Sequence, residues 1–371
     1  MAQEANTGAR KFLKLTRPFE MRRGGVLHDV VIAYETWGDP ARRHDHAVLI
    51  FTGLSPSAHA ASSTEDPSPG WWEDMIGPGR PIDTSRFFVI CVNSLGSPFG
   101  STSPASVNPA TGEPYRLTFP VLTVEDIARA GHEVVVALGI KQLAAVVGPS
   151  LGGMTVLAYC ALFPNEVRNL VSISAAARST PFSIALRSLQ REIIRRDPAW
   201  RDGNYTPDAI PVTGMRLARK LGMITYRSAK EWQLRFGRER AHVERKPGDP
   251  FGIDFEVESY LENHAVKFTG RYDPNCYLYV SRAMDLFDLA EHGSSSVADA
   301  LQRFTVERAL VIGVETDLLF PIEQQKEIAD GLQGKGREVE FHCLPSLQGH
   351  DSFLVDMDRF RPVIGDFLQK A

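Results

Sequence analysis

A strand, a tight turn and a helix follow one another without a gap near the middle of the chain. The apolar run Ala144–Val147 has strand character, residues 148–152 read GPSLG, and Met154–Leu162 has helical character. Small residues on both sides of Ser150 allow the strand and the helix to pack closely around a sharp turn. The serine hydroxyl then lies at the positive end of the helix. This feature predicts an α/β fold with a nucleophilic serine at the carboxyl end of a strand.

Short apolar runs with strand character recur towards both ends of the chain. They are Val30–Thr36, Ala47–Thr52, Phe87–Val92, Ala144–Val147, Leu170–Ser174, Ala309–Gly313 and Val339–Leu344. Several are apolar almost throughout, which is typical of parallel strands that are covered on both faces. A helix is predicted over Thr123–Leu138, with Thr123 as its N-cap and Asp126 forming a near capping box. Such alternation of strands and helices predicts a doubly wound, mostly parallel sheet.

Amphipathic helical patterns replace the strands between Ala176 and Thr305. The predicted helices are Ser183–Arg196, Met215–Met223, Ala229–Phe236, Val257–Lys267, Leu278–Leu289 and Val297–Phe304. Strand character resumes at Ala309, so the helices form an insertion between two strands of one sheet. We therefore predict an α/β core formed by residues 1–175 and 306–371, with a helical lid inserted at 176–305.

Composition argues against several classes of protein. The chain has 41 Lys and Arg against 45 Asp and Glu, so it offers no broad basic surface for nucleic acid or for an anionic membrane. Its apolar runs are far shorter than the roughly 20 residues of a membrane-spanning helix. Met1–Leu15 lacks the apolar stretch of a secretory signal, and four widely spaced cysteines do not make a disulfide framework. We expect a cytoplasmic protein without a metal site.

A serine nucleophile needs a base and a group that orients the base. In α/β hydrolases the order along the chain is serine, acid, histidine. Asp317 follows the predicted strand Ala309–Gly313, and His350 follows Val339–Leu344. We predict that Ser150 is the nucleophile, that His350 moves the proton, and that Asp317 orients the imidazole and stabilises its cation.

Two alternatives to this assignment stay open. Glu315 could replace Asp317, and His342 could replace His350, although His342 lies within the strand pattern. The oxyanion of the reaction needs N–H donors. We predict the backbone N–H groups of Leu151, directly after the serine, and of Leu54, in the loop after an earlier strand.

Basic residues in the lid have two interpretations. Arg187 and Arg191 lie four residues apart on one predicted helix, and such a like-charge pair is unfavourable unless an acid or an anion lies nearby. The pair is either a solvated face or a site for an anionic substrate group or a cofactor phosphate. Arg219 and Tyr226 are two helical turns apart and can share a face; alone, that pair is typical of lid surface.

Four segments together closely resemble the homoserine O-acyltransferase family of α/β hydrolases. They are GPSLGGM at 148–154, YDPNCYLY at 272–279, AMD at 283–285 and QGHD at 348–351. The resemblance extends from about Tyr34 to Phe367 and implies an α/β-hydrolase fold. It also implies acyl transfer from an acyl-CoA, through an acyl-serine, to the hydroxyl of a small amino acid. A homodimer formed through the lid is implied as well, and no cofactor besides the acyl-CoA co-substrate.

The resemblance also implies roles for individual residues. The predicted triad matches that of the family, and Arg219, Tyr226 and Asp351 match the positions that bind the carboxylate and amino groups of the acceptor. Other segments resemble the serine-acylating branch, among them the Trp pair at 71–72 and residues 183–187. The positions expected to set acceptor specificity are Thr52, Gly53, Leu54 and Ser55.

Three functions follow from this resemblance. We predict transfer of an acyl group to L-serine for cysteine biosynthesis, with succinyl favoured because Arg187 can meet the free carboxylate of a succinyl group. Related acetyltransferases carry similar lid residues, so Arg187 does not settle the donor. An L-homoserine O-acetyl- or O-succinyltransferase of methionine biosynthesis is the first alternative. A serine esterase, with water as the acceptor, is the second.

Overall fold

A computed structural model of the protein describes residues 8–242, 249–293 and 295–371. Residues 1–7 of the predicted core, and 243–248 and 294 of the predicted lid, lie outside the described residues. The strands are β1 (Lys11–Lys14), β2 (Phe19–Glu20), β3 (Val26–Leu27), β4 (Val31–Trp37), β5 (Ala47–Phe51), β6 (Ile76–Gly77), β7 (Ile82–Asp83), β8 (Phe88–Val92), β9 (Leu143–Pro149), β10 (Val167–Ile173), β11 (Arg308–Val314) and β12 (Glu338–Leu344).

Eight of these strands form one sheet in the order β1-β4-β8-β5-β9-β10-β11-β12. From β8 to β12 every neighbouring pair is parallel, whereas β4 and β1 are added antiparallel at one edge. The predicted fold class, a mostly parallel α/β sheet, is confirmed. The edge strand β1 was not predicted, because its sequence KFLK is charged and mostly exposed and so lacks the pattern of a buried strand.

The helices are α1 (Val124–Ala137), α2 (Leu151–Leu162), α3 (Pro181–Arg196), α4 (Val212–Tyr226), α5 (Ala229–Phe236), α6 (Glu256–Phe268), α7 (Pro274–Leu286), α8 (Val297–Gln302), α9 (Ile322–Leu332), α10 (Ser352–Val355) and α11 (Met357–Gln369). Helices α3 to α8 lie between β10 and β11 in the chain, within the segment predicted as the lid. The N-cap of α1 is Thr123 with a reciprocal bond to Asp126, as predicted. Helix α7 begins four residues before the predicted start, because Asp273 caps it and Pro274 occupies its first turn.

Alternate side chains of the central strands enter two separate cores. On β5, Leu49 and Phe51 pack on the side of the sheet that α1 and α2 cover, and Val48 and Ile50 pack on the side that α11 covers. Because successive side chains of a strand point to opposite faces, a strand covered on both sides is apolar throughout. The strands therefore hold their carboxyl ends rigidly at one edge. Among the described residues, no helix has both the length and the apolarity to cross a bilayer.

Candidate active site

Ser150 lies on the turn between β9 and α2 in a backbone conformation that is rare for residues with a side chain. Its φ is +56° and its ψ is −121°, and such strain is found at functional sites. Two glycines make the turn possible. A Cβ at Gly148 would lie 2.3 Å from the backbone of Gly152, and a Cβ at Gly152 would lie 2.2 Å from the carbonyl oxygen of Phe51. The motif is therefore a close backbone crossing that needs glycine on both sides.

The three residues predicted as a triad are joined by hydrogen bonds. Nε2 of His350 lies 2.8 Å from Oγ of Ser150, and Nδ1 lies 2.7 Å from Oδ2 of Asp317. Ser150 follows β9, Asp317 follows β11, and His350 follows β12. Because these strands are parallel, their carboxyl ends lie at the same edge of the sheet. Ser150 and His350 therefore come into contact although they are 200 positions apart in the chain.

Asp317 is held in the orientation that this arrangement requires. Its Oδ1 accepts the backbone N–H groups of Leu319 and Phe320 at 2.9 and 2.8 Å, which leaves Oδ2 for the imidazole. Burial lowers the pKa of His350, but the charge of Asp317 and its hydrogen bond outweigh burial, and the pKa is raised. The imidazole is therefore a stronger base than a buried histidine alone.

The two alternative residues lie elsewhere. The side chain of His342 is 39% exposed on β12, where Nε2 lies 3.6 Å from a carboxylate oxygen of Glu340. Glu315 is exposed, and the imidazole of His350 donates its Nδ1–H to Asp317 instead. The geometry thus favours the first assignment over both alternatives.

Ser150 and His350 open onto a small cavity of about 70 Å³. Most residues predicted to bind or select substrate line it. These are Gly53, Leu54, Ser55, Arg187, Tyr226 and Asp351. Its apolar wall includes Met284, Leu319 and Phe353, which limit the room for water. The cavity therefore combines a hydroxyl nucleophile with a few charged groups in a confined space.

Thr52 and Arg219 do not belong to the cavity lining. The hydroxyl of Thr52 is buried behind the wall, 3.3 Å from the hydroxyl of Ser94. The guanidinium of Arg219 lies 4.6 Å from the ring centre of Phe268 and 5.8 Å from that of Tyr226. Its Nε is buried without a hydrogen bond, and no carboxylate of the described residues forms an ion pair with it. Arg219 thus lies beside the ring of Tyr226, which lines the cavity, and has no ion-pair partner among the described residues.

Asp351 faces the cavity and forms an ion pair with the lid. Its Oδ2 lies 3.4 Å from Nε of Arg227, and Arg227 also donates to the side chain of Gln348. Burial raises the pKa of Asp351, and the charge of Arg227 opposes that rise. A Cβ at Gly349 would lie 2.8 Å from the carbonyl oxygen of Tyr226. The loop that carries His350 therefore packs closely against the C-terminal end of α4.

Arg187 and Arg191 share an acid that sequence spacing did not reveal. Nε of Arg187 lies 2.6 Å from Oδ1 of Asp285, and Nη2 of Arg191 lies 2.7 Å from Oδ2 of the same carboxylate. Arg187 also donates to the hydroxyl of Ser179 at 2.6 Å. Its Nη1 is buried and makes no hydrogen bond to any described residue. Arg187, which lines the cavity, is thus fixed by two contacts and keeps one nitrogen without a hydrogen-bond partner among the described residues.

The backbone groups predicted as oxyanion donors belong to a helix start and to a loop of the cavity wall. Leu151 is the first residue of α2, and Leu54 lies on the cavity wall. The hydroxyl of Tyr272 donates to the carbonyl oxygen of Leu54 at 3.1 Å, which fixes this part of the loop. Their role as donors stays a prediction.

Some lining residues were not found from the sequence. Gln190 lies one turn after Arg187 on α3, and its amide donates to the carbonyl oxygen of Ala218 at 3.0 Å. Tyr277 lines the cavity from α7, and burial raises the pKa of its hydroxyl far above the usual value, so the hydroxyl stays protonated. The helical spacing from Arg187 could have indicated Gln190, but Tyr277 depends on how α3 and α7 pack.

The elbow and the hydrogen-bonded serine, histidine and aspartate on this sheet define an α/β hydrolase. A family model described as the alpha/beta hydrolase fold matches residues 47–356, and the chain belongs to this family. The chain is 59% identical over 360 residues to the serine O-succinyltransferase of Litchfieldella anticariensis, covering 97% of this chain and 98% of the relative. It is 58% identical over 358 residues to the serine O-succinyltransferase of Stenotrophomonas maltophilia strain K279a, covering 96% and 97%.

Comparison with solved structures also finds proteins of this family. The homoserine O-acetyltransferase from Bacillus anthracis superimposes with a TM-score of 0.88 at 29% identity, covering 97% of both chains. Esterase E22 superimposes with a TM-score of 0.86 at 28% identity, covering 97% of this chain and 99% of the esterase. The resemblance to the homoserine O-acyltransferase family is thus confirmed, together with its serine-acylating branch.

Proposed function

We propose that this protein transfers a succinyl group from succinyl-CoA to the hydroxyl of L-serine, through an acyl-serine at Ser150. The observation that carries the proposal is the hydrogen-bonded chain from Ser150 through His350 to Asp317, open to a cavity with a cation and an anion on its wall. Full-length relatives named serine O-succinyltransferase support this choice of substrates.

In the first half-reaction, the proton of the Ser150 hydroxyl passes to Nε2 of His350 as Oγ attacks the thioester carbonyl. The N–H groups of Leu54 and Leu151 stabilise the oxyanion, and each such donor contributes about 10²–10³ in rate. The carbon–sulfur bond then breaks, and His350 returns the proton to the sulfur of coenzyme A. Asp317 stabilises the imidazolium throughout.

In the second half-reaction, L-serine replaces coenzyme A and its hydroxyl loses a proton to His350. The acceptor oxygen attacks the acyl carbon, and Oγ of Ser150 leaves and regains the proton. The carboxylate of Asp351 suits the acceptor's ammonium group. The hydroxyl of Tyr226, on the cavity wall, suits its carboxylate, and the positive charge of Arg219 behind that ring attracts the carboxylate from outside the lining. A hydroxyl held in this way competes with water because well-oriented groups reach effective molarities of about 10⁵–10⁸ M.

Specificity for acyl and acceptor groups depends on the opposite walls of the cavity. The unused Nη1 of Arg187 is suited to the free carboxylate of a succinyl group, since guanidinium–carboxylate hydrogen bonds are strong. The loop of Gly53, Leu54 and Ser55 limits the length of the acceptor. One methylene changes selectivity by only about 1–3 kcal/mol, so some acylation of homoserine is expected.

The proposal includes a homodimer formed through the lid and a location in the cytoplasm, with acyl-CoA as the only co-substrate. Helices α3 and α4 leave large apolar side chains exposed. These are Phe182, Ile184, Leu189, Val212, Leu217 and Ile224. Burying such a surface against a second copy removes apolar area from water. Free cysteines at all four positions agree with a reducing compartment.

One assay tests the proposed reaction. The purified protein is incubated with succinyl-CoA or acetyl-CoA and with L-serine or L-homoserine, and release of free thiol is followed. We expect the fastest release with succinyl-CoA and L-serine. Faster release with homoserine would favour the methionine-pathway alternative. Hydrolysis of p-nitrophenyl esters that outpaces every transfer reaction would make the protein an esterase.

A further inference from the structure

A second cavity adjoins the catalytic cavity at the loop of Ser55 and Pro56. Its volume is about 610 Å³, against about 70 Å³ for the catalytic cavity, and Ser55 and Pro56 line both. A whole nucleotide-bearing thioester does not fit in the smaller space. The larger cavity, which we name the entrance groove, therefore offers the adjoining space that such a donor needs.

Aromatic rings form much of the wall of the entrance groove. Trp71, Phe99, Phe268 and Tyr272 line it, and the ring centres of Phe99 and Phe268 lie 5.5 and 5.9 Å from that of Tyr272. Trp71 is fixed by a hydrogen bond from its indole nitrogen to the carbonyl oxygen of Ser57 at 3.0 Å. Tyr272 is buried beneath these rings, whereas Trp71 and Phe99 are partly exposed. A fixed, partly exposed aromatic ring is a platform on which a nucleobase can stack.

The groove also carries a free positive charge. Arg271 lines it and is exposed, and its guanidinium forms no ion pair with the described residues. His59 lines the groove as well, but its nitrogens lie 2.9 Å from a carboxylate oxygen of Glu35 and from the carbonyl oxygen of Ser68. Arg271 is thus the basic side chain there with N–H donors left for an anion, and guanidinium groups bind phosphate in a forked geometry.

Another arginine-lined cavity lies on the far side of the lid. Arg191, Arg195 and Arg282 line a space of about 490 Å³ that shares no lining residue with the catalytic cavity. On α3, Arg187 faces the catalytic cavity and Arg191 faces this other space. The helix therefore lies between the other cavity and the catalytic cavity. Of the two larger cavities, the entrance groove is the one that shares lining residues with the catalytic cavity.

We propose that the entrance groove binds the nucleotide end of the acyl-CoA donor, with Arg271 paired to a phosphate and the aromatic wall stacked on the base. This inference rests on the proposed function, because it requires a nucleotide-bearing thioester as the donor. The acyl end then reaches Ser150 past Ser55 and Pro56.

The test compares two donors that differ only at the end the groove would bind. Succinyl-CoA carries the nucleotide, whereas succinyl-pantetheine lacks it and keeps the whole pantetheine arm. For Arg271→Ala we expect KM for succinyl-CoA to rise about tenfold, the loss of one hydrogen bond to a charged group, with KM for the truncated donor unchanged. Arg282→Ala, the matched control in the other cavity, should change neither value.

Two results would overturn the inference. In the first, Arg271→Ala changes the KM values for both donors equally or changes neither. In the second, Arg282→Ala raises KM for succinyl-CoA and Arg271→Ala does not. Calorimetric titration of coenzyme A into the wild type, Arg271→Ala and Arg282→Ala distinguishes failure of the groove proposal from failure of the proposed function. Binding that depends on Arg271 without any transfer would refute the reaction and retain the groove, whereas transfer with binding independent of Arg271 would refute the groove.

Discussion

Replacement of Arg187 by leucine should change the choice of acyl donor. Arg187 is 4% exposed and is fixed by Asp285 and Ser179. Its Nη1 remains for a substrate carboxylate. Acetyl has no carboxylate to bind, so the variant should lose a contact that only the succinyl group makes. The ratio of kcat/KM for succinyl-CoA to that for acetyl-CoA should therefore fall.

The magnitude follows from the contact that is lost. A hydrogen bond to a charged group contributes about 1.5–3 kcal/mol, and each 1.4 kcal/mol corresponds to about a tenfold change. The ratio should thus fall about 10- to 150-fold. Loss of a partner of buried Asp285 also lowers the free energy of unfolding, but Arg191 remains 2.7 Å from that carboxylate, so the variant should fold.

The assay measures initial rates of thiol release with both donors at saturating L-serine. Arg191→Leu is the matched control, because it also removes one of the two cations on Asp285 but lies outside the catalytic cavity. Thermal unfolding should show similar losses of stability for the two variants, while only Arg187→Leu changes the ratio. A ratio that is unchanged in Arg187→Leu, or equally changed in Arg191→Leu, would refute the assigned role.

Three further predictions concern charge. Asp317→Asn should lower kcat by about 10⁴ and move the acidic limb of the pH–rate profile to lower pH, because Asp317 raises the pKa of His350. Arg227→Gln should raise the pKa of Asp351, since Arg227 lowers it, and KM for L-serine should then rise more steeply as pH falls. The pKa of His59 is raised from 6.5 to about 9, so the free energy of unfolding should decline between these pH values in the wild type but not in His59→Gln.

Each of these has a contrary outcome. An acidic limb that stays in place in Asp317→Asn would contradict the account of His350. Parallel pH profiles of KM in the wild type and Arg227→Gln would remove Arg227 from the control of Asp351, and Arg227→Lys, which keeps the charge, should restore most of the wild-type profile. Urea unfolding at several pH values tests His59, and equal slopes in both proteins would count against the linkage.

The sequence was informative where one local pattern determines both structure and chemistry. The glycines around Ser150 are required by contacts of 2.2–2.3 Å that any Cβ would make, so the motif itself carries the geometry. Asp317 and His350 were found because parallel strands bring their carboxyl ends to one edge. The strands of the sheet interior were found because they are buried on both faces.

Features that depend on packing between distant elements were not found. The acid between Arg187 and Arg191 is Asp285, 98 residues from Arg187. Helical spacing alone therefore could not decide whether the two arginines form a solvated face or an anion site. Arg227 gains its contact with Asp351 only because the lid folds back onto the histidine loop. Placement of Arg219 behind Tyr226, rather than in the cavity lining, likewise depends on how α4 meets α6.

Mass spectrometry of the acylated protein tests the central claim most directly. The protein is mixed with succinyl-CoA in the absence of an acceptor, digested, and examined for a succinyl group; L-serine is then added to a second sample. We expect the group on Ser150, its absence in Ser150→Ala, and its rapid transfer to L-serine as O-succinylserine. A succinyl group on another residue, or one that water removes as fast as L-serine does, would contradict acyl transfer through Ser150.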